Sequence, residues 1–273
     1  YTLWLLASLK ILPFSFLSII LVLAFFLAFN LKFLKSLKFL KIFILEEGLF
    51  LAGFIFWAFI KSFEPSIHSL EKFMDFGFIN SILRSDIFHP KDIWMSPETI
   101  NYYYFGHFLS ALLIKLSKTL PEVGYNLTLA SLFGLCLSAS FSIGSNLLFF
   151  YRPAISHKLL AISGFLSAFL VTLGGNLQTI YIFFQNYKTE NPVPFWQLPM
   201  MLNLDGYWYP NATRFIPLTI HEFPIYSFVV SDLHGHVFDI PFVLLLIALL
   251  IIIFTSSRLS AISHVLLAIL IAV

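Results

Sequence analysis

The sequence predicts an all-α, polytopic transmembrane protein with about six membrane-spanning helices, two extracytoplasmic loops and one interfacial helix. Of its 273 residues, 59% are hydrophobic and 11% are charged, whereas charged residues make up about a quarter of a typical soluble domain. Several uncharged apolar runs approach the roughly 20 residues that a membrane-crossing helix needs. The single cysteine, Cys136, excludes an intrachain disulfide, so we expect helix packing to hold the fold together.

Six apolar runs are the predicted spans, and the last two are short. The first run contains Pro13 and has no basic segment before it, which argues against a signal peptide. Because the chain begins without methionine and ends inside an apolar run, we expect residues 1–273 to be a single transmembrane domain from a longer protein. The predicted spans cover residues 3–29, 42–60, 125–150, 159–175, 240–254 and 261–273.

Basic residues set the predicted orientation, because short loops rich in lysine and arginine stay in the cytoplasm. The connection after the first span carries the lysines Lys32, Lys35, Lys38 and Lys41. Residues 61–124 then form outer loop 1 and residues 176–239 form outer loop 2. All of the 14 acidic residues except Glu46 and Glu47 fall in these loops, and we interpret that pair as interfacial. The sequence therefore predicts an integral protein of the cell membrane whose site faces the extracytoplasmic side.

Residues 105–120 are predicted to form the interfacial helix. The segment is short for a span, and its apolar residues recur at the i, i+3, i+4, i+7 spacing of one helix face. The opposite face carries His107, Ser110, Ser117 and Lys118. With this helix on the outer leaflet, the basic turn that contains Arg152 and Lys158 becomes cytoplasmic.

Outer loop 1 carries two carboxylates, Glu71 and Asp75, one helical turn apart. Carboxylates on one face repel each other, which raises a pKa, and the arrangement suits a general base or a shared cation. The alternative is a solvated amphipathic turn in which Lys72 and Arg84 are the partners.

The same loop carries aromatic residues around three consecutive tyrosines. These rings fit either an aromatic belt at headgroup depth or a carbohydrate platform on which sugar faces stack. The candidate substrate-binding residues of this loop are Asp92, Trp94, Asn101, Tyr102, Tyr103, Tyr104 and His107.

Outer loop 2 is long, polar and aromatic, which indicates a function rather than a simple connection. Arg214 is a candidate phosphate-binding residue, because a guanidinium group matches the geometry of a phosphate. The alternative for Arg214 is a salt bridge to Asp205 or Glu222.

The end of outer loop 2 brings together Glu222, Asp232, His234 and His236. With Asp232 or Glu222, the two imidazoles suit a divalent metal such as zinc, iron or manganese. Alternatively, they hydrogen-bond a neighbouring loop or bind phosphate when protonated. The span predicted to follow puts these residues at the outer membrane surface, where a lipid-borne substrate is presented.

Five motifs in order resemble the uncharacterised "YYY" family of polytopic membrane proteins, named for its tyrosine triplet. The family's usual Asp-Leu-His-Pro-His carries Gly235 here in place of proline, which makes the loop more flexible. The likeness extends over residues 46–242. The motifs lie at residues 71–75, 92–94, 100–107, 222–224 and 232–236, the last followed by Pro241 and Phe242.

This family in turn resembles the GT-C superfamily of membrane glycosyltransferases. The resemblance implies transfer of a sugar from a polyprenyl-phosphate donor, held with membrane lipid, to an acceptor outside the cytoplasm. Asp75 or Glu71 would be the general base, and Asp232 is the third candidate catalytic carboxylate. Arg214, with His234 and His236 or their metal, would stabilise the departing phosphate.

The sequence supports two other functions less strongly and argues against a third. A net charge of +2 with dispersed bases argues against a nucleic-acid partner. A transporter or channel is an alternative, but it predicts ionisable residues in the middle of spans, and these are scarce. A metal-dependent outer-leaflet hydrolase or phosphotransferase built on His234, His236 and Asp232 is a further alternative.

Overall fold

The computed structural model describes residues 1–34, 40–176, 178–185, 193–203, 212–214, 216 and 218–255. Within these ranges the predicted all-α class is confirmed, because the structure contains helices and no strand. Two short 3-10 helices, Gln178–Phe183 and Phe195–Gln197, lie in the second long loop. The α-helices are α1 Thr2–Ser8, α2 Phe16–Leu34, α3 Leu40–Ser62, α4 Lys72–Arg84, α5 Phe105–Ser117, α6 Pro121–Tyr151, α7 His157–Thr172, α8 Pro224–Val230 and α9 Gly235–Thr255.

Three helices of the described chain are long and apolar enough to cross a membrane. They are Ile42–Ser62 within α3, Pro121–Tyr151 and Gly235–Thr255. The predicted run at residues 159–175 forms α7, which is shorter than these three. The predicted span at residues 261–273 lies outside the described residues.

The prediction of one continuous helix over residues 3–29 is wrong. Helix α1 ends at Ser8 and α2 begins at Phe16. Between them, Pro13 has no backbone N–H to donate, and Lys10 adopts a left-handed backbone with a φ of 60°. The interruption lets the carbonyl of Asp86 accept a hydrogen bond from the amide of Phe14 at 2.6 Å.

Helix α6 is the centre of the bundle and packs against α3, α5, α7 and α9. At its crossing with α3, Gly134 lies directly against the backbone of Phe50 and Phe54, as small residues do where membrane helices approach closely. Next to that crossing, the rings of Trp57 and Phe133 stack with their centroids 4.5 Å apart. The two helices therefore contact each other through their backbones at Gly134 and through stacked aromatic rings next to that crossing.

The two long loops meet at one end of this bundle. The buried hydroxyl of Tyr125, in the first turns of α6, donates to the carbonyl of Ser231 at 3.1 Å and accepts from the amide of Leu233 at 3.2 Å. One residue further, the amide group of Asn126 donates to the carbonyl of Pro65 at 3.0 Å. The C-terminal end of α3 and the N-terminal ends of α6 and α9 therefore surround one region.

Helix α5 forms where the interfacial helix was predicted, and its polar face is buried in its first half, whereas Ser117 and Lys118 are exposed. His107 and Ser110 are buried against neighbouring helices. Ser110 and Thr128 of α6 share a hydrogen bond of 2.8 Å between their hydroxyl groups. This face buries polar groups because each finds a partner on the next helix.

We predict that Gly134→Ala destabilises the bundle. An added Cβ would lie 2.7 Å from the carbonyl oxygen of Phe50 and 3.1 Å from the amide nitrogen of Phe54, and backbone cannot move aside as a side chain can. The free energy of unfolding should fall by about 1–3 kcal/mol, measured by denaturant unfolding in detergent micelles. Gly48→Ala on α3 is the matched control, since nothing lies within 4 Å of its added Cβ. Equal stability of the two variants would contradict the packing described.

Candidate functional site

The candidate site begins with a contact between the two long loops. Glu71 is the N-cap residue of α4, and His234 directly precedes α9. The Oε2 atom of Glu71 lies 2.5 Å from Nε2 of His234. The structure therefore brings together two predicted site residues that are far apart in the sequence.

A second carboxylate and imidazole continue from this pair. The Nδ1 atoms of His234 and His236 are 3.1 Å apart, within hydrogen-bonding distance. Nε2 of His236 then lies 3.3 Å from Oε2 of Glu222 and 3.0 Å from Oγ of Ser227. Ser227 donates to the same carboxylate at 2.9 Å. Glu71, His234, His236 and Glu222 thus form one chain of polar contacts.

These residues line a single polar cavity of about 570 Å³. Arg214 also lines it, and its guanidinium group donates to Oγ1 of Thr213 at 2.9 Å. The Asp205 partner proposed for Arg214 lies outside the described residues. The described residues that line it are Leu70, Glu71, Arg214, Ile220, Glu222, Ser227, Val230, Asp232, His234, His236 and Val237.

Asp232 is the most strongly perturbed carboxyl group of this cavity. Burial raises its pKa to about 7, and the negative charges of Asp75 and Glu71 act in the same direction. Lys72 and a hydrogen bond from the backbone of Glu71 oppose the shift. Its Oδ1 atom is buried and has no hydrogen-bond partner in the described part of the protein. Asp232 therefore changes protonation near neutral pH at the cavity wall.

Asp75 does not share an open face with Glu71, so that prediction is wrong. Asp75 and His107 form a buried pair, with side chains 0% and 1% exposed and 3.0 Å between Oδ1 and Nε2. Glu71 points instead to the cavity. Neither carboxylate forms a salt bridge with Lys72 or Arg84 within the ranges that the structure describes, which argues against the solvated-turn alternative.

The three tyrosines occupy three different environments. The hydroxyl of Tyr103 hydrogen-bonds Nε2 of His234 and so reaches the polar cavity. Burial, followed by a hydrogen bond with Tyr102, raises the pKa of Tyr103 above its ordinary value. Tyr104 is buried, and its hydroxyl contacts Nε1 of Trp4 and Nδ1 of His89. Tyr104 therefore does not share the exposed surface of Tyr102 and Tyr103, and for those two residues the aromatic belt and the carbohydrate platform stay predictions.

The structure does not bring the remaining predicted residues of loop 1 to the polar cavity. The carboxylate of Asp92 accepts hydrogen bonds from the amides of Trp94 at 2.8 Å and Met95 at 3.0 Å, which closes a local turn. The side chain of Trp94 is exposed, and Asn101 is exposed as well. Asp92, Trp94 and Asn101 therefore stay separate from the cavity that contains Glu71.

Ser227 is a site residue that sequence reasoning missed. It lies in the short helix α8, where it connects Glu222 to His236. A lone serine in an apolar helix carries no recognisable signal. The proline at the start of α8, Pro224, was the one indication that a helix begins after Glu222.

The Nδ1 atoms of His234 and His236 are close enough together to be two ligands of one metal ion. Nitrogen ligands about 2.1 Å from a common ion lie roughly 3 Å apart, as their Nδ1 atoms do. Each Nε2 then faces a carboxylate, Glu71 or Glu222, the usual outer partner of a ligating imidazole. Within the described residues, no group of three or more His, Cys, Asp or Glu side chains completes a site, so the divalent metal stays a prediction.

Comparison with known proteins identifies one family. The sequence model of a family described as "Uncharacterized membrane protein (DUF2298)" matches residues 1–273. Among curated proteins and solved structures, none matches this chain.

We predict that Asp232→Asn changes how stability depends on pH. The folded-state pKa of about 7 lies above the ordinary value of 3.8, so the folded protein binds more protons than the unfolded chain between these values. As the pH rises through this window, ionisation of Asp232 lowers the stability of the folded protein relative to the unfolded chain. Asparagine does not ionise, so the Asp232→Asn variant lacks this loss. Thermal unfolding in micelles should show the variant gaining stability over the wild type from about pH 4 to about pH 7. A difference that does not change with pH would contradict the assignment.

Proposed function

The chain belongs to the family described as Uncharacterized membrane protein (DUF2298), and we propose that it is a membrane glycosyltransferase resembling the GT-C superfamily. It would transfer a sugar from a polyprenyl-phosphate-linked donor to an acceptor on the extracytoplasmic side. One observation carries the proposal. Three carboxylates, Glu71, Glu222 and Asp232, share a cavity with Arg214 and two imidazoles at the end of the long apolar helices. A lipid-borne phosphate in the adjoining leaflet is presented at that depth.

Asp232 is the group best suited to accept the proton of the acceptor. It lines the cavity and has an oxygen atom without a hydrogen-bond partner in the described structure. Its pKa of about 7 fits general-base catalysis near neutral pH. Glu71 is already paired with His234, and Asp75 with His107. We therefore assign proton transfer to Asp232 and positioning of His234 to Glu71.

The reaction would break one bond to the anomeric carbon and form another. The acceptor oxygen loses its proton to Asp232 and bonds to the anomeric carbon. The bond between that carbon and the phosphate oxygen breaks, and its electron pair remains on the phosphate. Arg214 stabilises the charge that develops there, with His234 or His236 as a hydrogen-bond donor.

We predict that Asp232→Asn lowers sugar transfer by about 10²–10⁴-fold, the usual contribution of a general base. Turnover of a polyprenyl-phosphate-linked sugar would be measured in reconstituted vesicles across a pH series. Wild-type activity should rise as the pH increases through about 7, because the base must be ionised. Arg214→Gln should lower turnover as well. Glu98→Gln, which alters an exposed carboxylate outside the cavity, is the matched control. Wild-type turnover in the Asp232→Asn variant would exclude the assigned role.

A metal-dependent hydrolase or phosphotransferase is the second candidate function. The observation that favours it is the 3.1 Å separation of the Nδ1 atoms of His234 and His236. A metal held there would polarise a phosphate oxygen, while Glu71 and Glu222 orient the two rings.

We predict that removal of bound metal distinguishes the two candidate functions. If the second candidate is correct, the purified protein contains about one zinc, iron or manganese ion per chain, and a chelator abolishes phosphoester hydrolysis. His234→Ala with His236→Ala would lose the ion, whereas His68→Ala, a histidine outside the polar cavity, would keep it. Elemental analysis of the three proteins measures this. Sugar transfer that survives chelation would favour the glycosyltransferase.

A further inference from the structure

A second cavity lies beside the polar cavity and is mostly aromatic. Its volume is about 360 Å³, which lies within the range of pockets that hold small ligands. Tyr103 belongs to its wall and also contacts His234, which lines the polar cavity. Among the described residues, seven aromatic ones line the cavity, together with Gly106, His107, Gly235 and Asp239; the aromatic ones are Trp4, Tyr102, Tyr103, Tyr104, Phe105, Phe238 and Phe242.

One polar hydrogen of this aromatic wall is already used by the protein. Nε1 of Trp4 donates to the hydroxyl of Tyr104 at 3.1 Å, and that hydroxyl also lies 2.8 Å from Nδ1 of His89. The indole of Trp4 therefore has no hydrogen to offer a bound sugar or phosphate.

Two other polar groups of this wall are acceptors. Nε2 of His107 lies 3.0 Å from the Asp75 carboxylate, which can only accept, so the imidazole places its hydrogen on Nε2. In the neutral ring, Nδ1 is then an acceptor, and it has no hydrogen-bond partner among the described residues. The other acceptor is the carboxylate of Asp239, in the first turns of α9.

Asp239, an exposed residue, gives this cavity a negative charge. Among the residues that the structure describes, the cavity wall contains no lysine or arginine. Within the described parts of the chain, the carboxylate of Asp239 forms no salt bridge and no side-chain hydrogen bond. Aromatic ring faces are also negative, because of their quadrupole. The described wall is therefore electron-rich and lacks an internal cation.

We propose that this aromatic cavity binds an organic ammonium group. The rings of Trp4 and Phe242 would contact the cation through cation–π interactions, and Asp239 would balance its charge. A quaternary ammonium needs only these contacts, whereas a primary ammonium also donates to the free acceptors. The ammonium belongs either to a phospholipid headgroup or to a free amine. This proposal uses different residues from the sugar-transfer chemistry and does not depend on it.

Choline and its uncharged analogue 3,3-dimethylbutan-1-ol test the proposal, because they have similar shapes and differ in charge. Isothermal titration of the full chain, purified in a detergent without ammonium groups, should show choline binding about tenfold or more tightly than the alcohol. Asp239→Asn should weaken choline binding by about tenfold. Phe242→Leu, which keeps an apolar side chain but removes the ring, should weaken it roughly 2- to 30-fold.

Two matched variants control for general effects on the protein. Glu98→Gln removes an exposed carboxylate, and Phe254→Leu removes an exposed ring at the far end of α9; neither residue lines the cavity. Both should bind choline as the wild type does. Circular dichroism of each variant should show the wild-type helix content, which excludes misfolding as the cause of weaker binding.

Nanodiscs distinguish the two sources of the ammonium group. If phosphatidylcholine raises the Tm above that in phosphatidylglycerol, and Asp239→Asn removes the difference, the ligand is a lipid headgroup. If free choline raises the Tm in phosphatidylglycerol nanodiscs and phosphatidylcholine does not, the ligand is a soluble amine. Equal affinity for choline and the alcohol, no binding of either, or unchanged choline binding by Asp239→Asn would overturn the proposal.

Discussion

One buried hydroxyl group fixes the geometry on which the candidate site depends. The phenol of Tyr125, fully buried near the start of α6, contacts the carbonyl of Ser231 and the amide of Leu233. Removing this hydroxyl would leave the carbonyl of Ser231 and the amide of Leu233 unpaired in the interior, which costs more free energy than the two hydrogen bonds contribute. The tyrosine thus holds the turn that carries Asp232 against the most central helix. His234 and α9 follow directly from that turn, so their positions depend on it.

Two pairs of carboxylate and imidazole groups connect the start of α4 to different neighbouring elements. Asp75 reaches the interior and His107, while Glu71 reaches the polar cavity and His234. The buried pair fixes α4 against α5 because an isolated charge there would be costly. The exposed pair connects α4 to the start of α9. Tyr103 lines the aromatic cavity and contacts His234, so it lies between a polar region with an arginine and an aromatic region whose described residues include no lysine or arginine.

Much of the fold was predictable from the sequence, because membrane helices are encoded locally in long apolar runs. The runs that became α3, α6 and α9 needed no tertiary information. Pro13 indicates a break in the first run, but the apolar residues on both sides of it favoured one continuous span. Glu71, Asp232, His234 and His236 could each be selected as candidate site residues, since acids and histidines are rare in such a composition. Their assembly in one cavity required the helix packing.

Other features of the site depend on contacts that no sequence pattern reports. Helical spacing places Glu71 and Asp75 on one face, but the position of His107 on a neighbouring helix decides that Asp75 is buried. The role of Ser227 depends on α8 folding back towards His236. Asp92 carries the same functional group as the site carboxylates, yet it closes a turn with the amides that follow it. Local sequence cannot separate these outcomes.

The central claim is that two distant loops build one site at one end of the helices, and cross-linking tests it most directly. In a Cys136→Ser background, the variant with Glu71→Cys and His234→Cys should be joined by a short bifunctional maleimide in native membranes. The variant with Glu71→Cys and Phe254→Cys should not, because α9 separates residues 234 and 254 by about 30 Å. Failure of the first pair to cross-link, while each cysteine alone reacts with a monofunctional maleimide, would contradict the account.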